Sequence, residues 1–182
     1  MLKRRDCEYE LFQSVEVLHV LPRLREGFPT VDDFVDFANA VLNRRKSRSG
    51  RSLELHAKAI FDEENVAYSW TPVTEGRKTP DFVFPGIDQY RDSAWPTTRL
   101  RMLAAKTSCK DRWRQILNEA DRIGRKHLLT LQEGISVAQY EEMKSSGVVL
   151  VVPSNRIADY PESVQPEILS FEGFIREVRA LL

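Results

Sequence analysis

The run "VVLVVP" at residues 148–153 constrains this chain more than any other stretch. All of its side chains are apolar, so neither face can be left in water. A run this short, ended by a proline, fits a strand buried on both sides within a sheet. A sheet covered twice implies helices on both faces, and the flanking segments offer them. "SVAQYEEMKSSG" reads as a helix closed by Gly147, and "SFEGFIREVRALL" as a final helix capped by Ser170.

The same reading extends backwards along the chain. "HLLTL" is a strand, and "RLRMLAAK" alternates so that Leu100, Met102, Ala104 and Lys106 share one strand face. "KDRWRQILNEADRIGRK" between them predicts a helix. "VAYSWTPV" and "DFVFPG" are two earlier strands separated by the turn "EGRKTP", and residues 87–98 read as a loop. Nearer the N-terminus the period is helical. Leu11, Phe12, Val15, Leu18 and Leu21 form a stripe that ends near Pro22. Phe34, Phe37, Val41 and Leu42 form a second after an N-cap at Thr30, and Leu53, Ala57, Ile60 and Phe61 a third after Ser52. The basic "NRRKSRSGR" between the second and third reads as a loop. The order is helices, three strands, then helix and strand in alternation to a last helix. That pattern is an α/β fold with a mixed central sheet flanked by helices, and it lacks a glycine-rich nucleotide loop.

A length of 182 residues suits one domain with a sizeable core. Lys plus Arg and Asp plus Glu number 27 each, so total charge neither favours nor excludes nucleic acid. Local runs matter more: "KRR" at 3–5, "RRKSRSGR" at 44–51 and "KDRWR" at 110–114 are basic. Cys7 and Cys109 form no CxxC pair, and His19, His56 and His127 are scattered, which argues against a disulfide framework and a structural zinc site. No apolar run is long enough to span a bilayer, and the N-terminus lacks the apolar core of a signal peptide. The expectation is a cytoplasmic protein without a membrane partner.

Chemistry centres on two strand ends. Asp81 opens an apolar strand after Pro80, and Lys106 closes another. Taken singly, Asp81 is a turn aspartate and Lys106 a lysine that reaches to solvent. On neighbouring strands, both side chains would meet at one edge of the sheet. A carboxylate there can hold a divalent metal, and the lysine beside it can orient or deprotonate water, as phosphodiester hydrolysis requires. Glu119 on the following segment is a second carboxylate, with Arg112, Gln115 or Ile116 near its stripe, and Glu54 on the third helix is a further candidate.

A proline-aspartate pair followed by a strand-end lysine resembles the PD-(D/E)xK nuclease superfamily. The resemblance narrows to the catalytic, C-terminal domain of the EcoRII-type restriction endonucleases. It rests on "NRRKSRSGRSLELH", "KTPDFVFP", "LRMLAAKTSCKDRWRQILNEADRI", "LTLQEGIS" and "SGVVLVVPS", and it covers nearly the whole chain. The plain superfamily pattern places an acid two residues before the lysine, where this chain has Ala104. In this branch the acid comes from the next helix, so Asp81, Lys106 and Glu119 match the catalytic trio, with Asp81 and Glu119 as ligands of Mg²⁺. Glu54 matches a supporting acidic residue.

The resemblance also gives the cations a role. Lys110, Asp111 and Arg112 match base-reading positions; Arg pairs bidentately with guanine O6 and N7, and Asp accepts from cytosine N4. Arg5 and Tyr9 match positions that hold a base flipped out of the duplex. Arg44, Arg45, Lys46 and Arg48 are candidates for DNA-backbone contacts, which position the protein without reading sequence. The implied protein is a single catalytic domain over 1–182. Its helical part, 1–50, would contribute to DNA binding, with a nuclease core at 51–155 and a C-terminal helix at 156–182. It would cut double-stranded DNA at 5′-CCWGG as a homodimer, with two half-sites matching the two-fold axis. Full-length relatives carry an additional N-terminal effector domain; without it, cleavage is expected to be independent of a second DNA copy. Two alternatives stay open at this point: a mismatch-directed nicking nuclease of the same superfamily, and a DNA-binding module without catalysis.

Overall fold

The computed structural model describes residues 2–181 and, at Asp111, the backbone alone. The base-reading role expected of the Asp111 side chain therefore lies outside the described residues. The chain divides into two compact units, Met1–Ala57 and Lys58–Leu182.

The first unit is built from α1 (Leu2–Glu26) and the greater part of α2 (Val31–Glu63). Helix α1 runs through Pro22 instead of ending there, and its stop is Gly27, whose φ of 81° suits a residue without a Cβ. Gly27 N donates to Arg23 O at 3.2 Å. Thr30 caps α2 as expected: its Oγ1 accepts from Asp33 N at 3.1 Å and donates to the Asp33 carboxylate at 2.8 Å. The basic run expected as a loop is helical throughout, and Ser52 lies inside α2 instead of starting a third helix. Arg and Lys are good helix formers, and one interior Gly50 costs only about 1 kcal/mol. Facing carboxylates of α1 also neutralise the cations. Arg45 forks onto Glu16 with bonds of 2.9, 3.0 and 2.5 Å, and Arg48 reaches Glu8 at 2.8 Å. Ser52 Oγ donates to the same Glu8 carboxylate.

The second unit is a six-stranded sheet in sequential order β1 to β6: Ser69–Trp70, Phe82–Phe84, Arg101–Ala105, Lys126–Leu129, Val148–Val152 and Leu169–Ser170. The first three strands pair antiparallel and β3 to β6 pair parallel, so the sheet is mixed as expected. Short helix α3 (Ile87–Arg91) occupies part of the expected loop, α4 (Val137–Ser145) precedes β5, and α5 (Phe171–Arg179) follows β6. Ser136 and Ser170 cap α4 and α5 by accepting from Gln139 N and Gly173 N.

Alternation sorts the side chains into two cores. On one face Met102 and Ala104 of β3 pack with Leu128 and Leu150 against Trp113 and Ile116. On the other, Phe61 meets Phe82, Phe84, Phe171 and Phe174 with ring centroids 5.2–6.4 Å apart. Strand β5 is covered on both faces, as its all-apolar composition demands; Val148, Leu150, Val151 and Val152 are all buried.

Residues 111–118 form a 3-10 helix where the pattern predicted an α-helix. With three residues per turn, side chains at i and i+3 eclipse one another. Trp113 and Ile116 are therefore buried together, and Glu119 follows on their side. Arg112 and Gln115 point to solvent and do not share that stripe.

Candidate active site

Strands β2 and β3 converge where β3 ends. One step beyond the Phe82–Leu103 pair, the antiparallel register sets Asp81 beside the Ala104–Ala105 segment. The Asp81 carboxylate Oδ2 accepts from Ala105 N at 2.7 Å and from Lys106 Nζ at 3.0 Å. Lys106 is fixed in turn, because its backbone N continues the β3–β4 ladder by donating to Leu129 O at 2.9 Å. The aspartate side chain is 11% exposed and the lysine 20%, so the pair sits at a recessed sheet edge and not on a solvated loop. A charge-assisted bond plus a backbone N–H holds the carboxylate in one orientation. Ala104 is fully buried in the core, so an acid at the usual motif position is replaced here by packing.

Glu119 supplies the second carboxylate. It caps the 3-10 helix, its N donating to Ile116 O at 3.0 Å. Its Oε2 is buried and accepts no hydrogen bond among the described residues. Burial pushes the Glu119 carboxyl up to about 7; the Lys106 ammonium opposes that rise, Asp81 adds to it, and Lys126 opposes it. Glu119 thus lies within electrostatic reach of both members of the strand-end pair. Among the described residues no three His, Cys, Asp or Glu side chains form a cluster able to hold a metal by themselves. The fit to a divalent cation comes from the two carboxylates and above all from the orphaned Glu119 oxygen. A buried acceptor without a partner is costly unless a ligand satisfies it, and hard divalent cations take carboxylate oxygen.

Glu54 stands on α2 in the first unit, 18% exposed, with its carboxylate 3.2 Å from Arg51 Nη1. In the same unit Arg5, Tyr9, Arg45, Lys46 and Arg48 line one concavity of about 410 Å³. Burial lowers the pKa of the Arg5 guanidinium, and its Nε is buried without a partner among the described residues. Tyr9 is 43% exposed, stacks on Phe12 at 6.4 Å, and has the Arg48 guanidinium 5.4 Å from its ring centre. Of the four candidate backbone cations, Arg44 and Lys46 are exposed. Arg45 and Arg48 are committed to Glu16 and Glu8, and the fork from Arg45 holds the Glu16 carboxyl below the usual carboxylate range.

Lys110 and Arg112 are exposed just beyond the lysine of the site. Gln132 orders the approach to them: its Oε1 accepts from Cys109 N at 2.9 Å and from Lys110 N at 3.4 Å, and Gln139 Nε2 donates to Lys110 O at 3.0 Å. Sequence patterning did not single out Gln132, Gln139 or Lys126. A lone polar residue on a loop or strand end carries no periodic signal, and their partners are backbone atoms.

Comparison with known proteins gives consistent results. Residues 12–175 match the family model described as "EcoRII C terminal". The chain is 54% identical over all 182 of its residues to the type II restriction enzyme EcoRII of Escherichia coli, of which it covers 45%. It is 25% identical over 157 residues to the type II restriction enzyme SsoII of Shigella sonnei, covering 80% of this chain and 50% of that one. The chain therefore spans about half the length of these curated relatives. Two solved structures of metal-depleted Ecl18kI in complex with uncleaved DNA, one with modified DNA, superpose with TM-scores of 0.75 and 0.73 at 22% and 23% identity. Each alignment covers 98% of this chain, and 66% and 67% of the other. The fold is thus of the restriction-endonuclease type.

Proposed function

Because the chain belongs to the EcoRII C-terminal family, we propose that it is the catalytic part of a type II restriction endonuclease that hydrolyses double-stranded DNA at 5′-CCWGG. The observation that carries the reading is the recessed constellation of Asp81, Lys106 and Glu119, with an acceptor oxygen left unpaired. Asp81 and Glu119 would hold a divalent cation, with Mg²⁺ as the expected ion. When bound, it supplies charge neutralisation at the phosphate and acidifies a coordinated water. The protein's own contribution is orientation. Asp81 fixes the Lys106 ammonium at 3.0 Å, and that ammonium directs the attacking water and offsets the charge gathering on phosphate oxygens. Buried carboxylates that do not reorganise during the reaction make this stabilisation effective.

Recognition falls to the segment that leaves the site. Lys110, Asp111 and Arg112 would read base edges in the major groove, Arg112 by forking onto guanine. In the helical part of the chain, the concavity with Arg5 and Tyr9 offers a guanidinium and an aromatic face to an extruded central base. Arg44 and Lys46, exposed beside it, would contact phosphate, and Glu54 would support the site. The near-palindromic target calls for a homodimer. Exposed apolar side chains on the first unit fit that requirement: Leu11, Val15 and Leu18 on α1 and Val31, Val35 and Leu42 on α2. Among the described residues no helix is long and apolar enough to cross a membrane. Action on cellular DNA makes the cytoplasm the expected location.

Digestion of a plasmid carrying one CCWGG site, with Mg²⁺ and with EDTA, tests the proposal. A Mg²⁺-dependent linear product whose ends map to the site is expected. Uncut plasmid with tight binding to a CCWGG duplex would leave a reader of DNA without chemistry.

A further inference from the structure

Lys126 opens β4 and is 5% exposed, yet among the described residues no carboxylate pairs with it. Its ammonium is spent on two backbone carbonyls instead: Glu119 O at 2.5 Å and Ala120 O at 2.8 Å. Burying an ammonium is expensive, and burial lowers its pKa. The backbone it grips is unusual as well. Ala120 has a φ of 50°, in the left-handed region that a residue with a Cβ enters only at a cost of about 1 kcal/mol or more. The chain thus leaves the 3-10 helix through a strained residue immediately after Glu119. Two adjacent carbonyls are held in place there by one buried cation.

Strain of this kind persists only where the surroundings over-determine it. Without the Lys126 donors, Glu119 O would lose the bond that ties it to β4, and Ala120 O would keep the turn bond from Ile123 N at 2.9 Å but lose its tie to the sheet. The Glu119 carboxylate would then lose its fixed aim. We propose that Lys126 is a positioning residue: it clamps the Glu119–Ala120 backbone so that the Glu119 carboxylate faces the Asp81–Lys106 pair. The proposal rests on the reading of Glu119 as part of the active site. Lys126 itself touches neither substrate nor the reacting atoms. Its action runs entirely through the backbone of its neighbour.

The test uses Lys126→Met, which keeps the bulk and removes the donors, and Lys126→Arg, which restores them; Glu119→Ala is the reference. Three quantities are read on the full chain: affinity for a CCWGG duplex in EDTA, single-turnover cleavage against Mg²⁺ concentration, and the rise in unfolding midpoint with added Ca²⁺. The expected result is unchanged affinity in EDTA for Lys126→Met, with about 10–100-fold loss in cleavage rate. The Ca²⁺ needed for stabilisation should rise by about tenfold, and Lys126→Arg should recover part of both. A purely structural lysine would lower the unfolding midpoint without moving the Ca²⁺ dependence, and that result overturns the proposal. So does Lys126→Met cleaving at near the unmutated rate. If Lys126→Met does not fold, Lys126→Gln, which keeps an N–H donor for one carbonyl, is read by the same Ca²⁺ and cleavage criteria. Should Glu119→Ala still cut, the active-site reading fails first; if only Glu119→Ala is inactive, the positioning role alone is wrong.

Discussion

A carboxylate held ready for a cation should burden the protein when the cation is removed, and Glu119 allows the burden to be sized. An ordinary glutamate titrates near 4.5, whereas burial pushes Glu119 up to about 7 in the folded chain. A folded-state value above the unfolded one means that the stabilising contribution is complete below about 4.5. It is lost as pH rises through about 7. At about 1.4 kcal/mol per pH unit, the interval amounts to about 3 kcal/mol of destabilisation in alkaline, cation-free buffer. Glu119→Gln has nothing to ionise and escapes this loss. In urea denaturation with EDTA, the variant should gain about 2–3 kcal/mol relative to the unmutated protein between pH 5 and pH 8. Adding a divalent cation at pH 8 should then raise the stability of the unmutated protein and leave the variant unmoved. A difference that stays constant across pH would refute the reasoning, because it would mean that the Glu119 carboxylate is ionised without penalty. A cation that stabilised both proteins equally would remove Glu119 from the cation site.

Other expectations follow from separate parts of the molecule. Arg112→Ala should weaken cognate binding by about 1–3 kcal/mol, or about 5–150-fold, while non-specific affinity changes little; gel-shift titration on CCWGG and scrambled duplexes would measure both. His127 is buried beside Phe174 at a ring distance of 5.0 Å, and burial pushes it down to about 4. Its contribution is therefore complete above about 6.5 and is lost as pH falls through about 4, so His127→Phe should remove up to about 3 kcal/mol of acid destabilisation seen in denaturant melts. Sedimentation should give a dimer that Leu18→Glu disrupts, since that side chain is 73% exposed on the apolar stripe; a monomer at every concentration would contradict the pairing.

Much of the sheet was legible because its residues obey short-range rules. The alternation in "RLRMLAAK" fixes which face of β3 meets the core and brings Lys106 to the strand end, and the proline-terminated "DFVFP" sets Asp81 at the start of β2. Thr30 and Ser170 announce helix starts through side-chain oxygens that cap locally. The basic run was misread because Ser47, Ser49 and Gly50 resemble loop punctuation. What keeps it helical is distant in sequence, namely Glu8 and Glu16 on α1. The segment after Lys110 was misread for a different reason: apolar residues spaced by three fit both helix types, and only a three-residue turn brings Glu119 round behind Ile116. Lys126 gave no signal at all, since its partners are carbonyl oxygens that every residue possesses.

The central question is whether the strand-end pair does chemistry. The most direct measurement is cleavage of a CCWGG duplex in Mg²⁺ by Asp81→Ala and Lys106→Ala, beside binding of the same duplex in EDTA. Neither variant should give product, and each should keep cognate affinity within a few-fold of the unmutated protein. Normal cutting by Lys106→Ala would remove the strand-end pair from the chemistry.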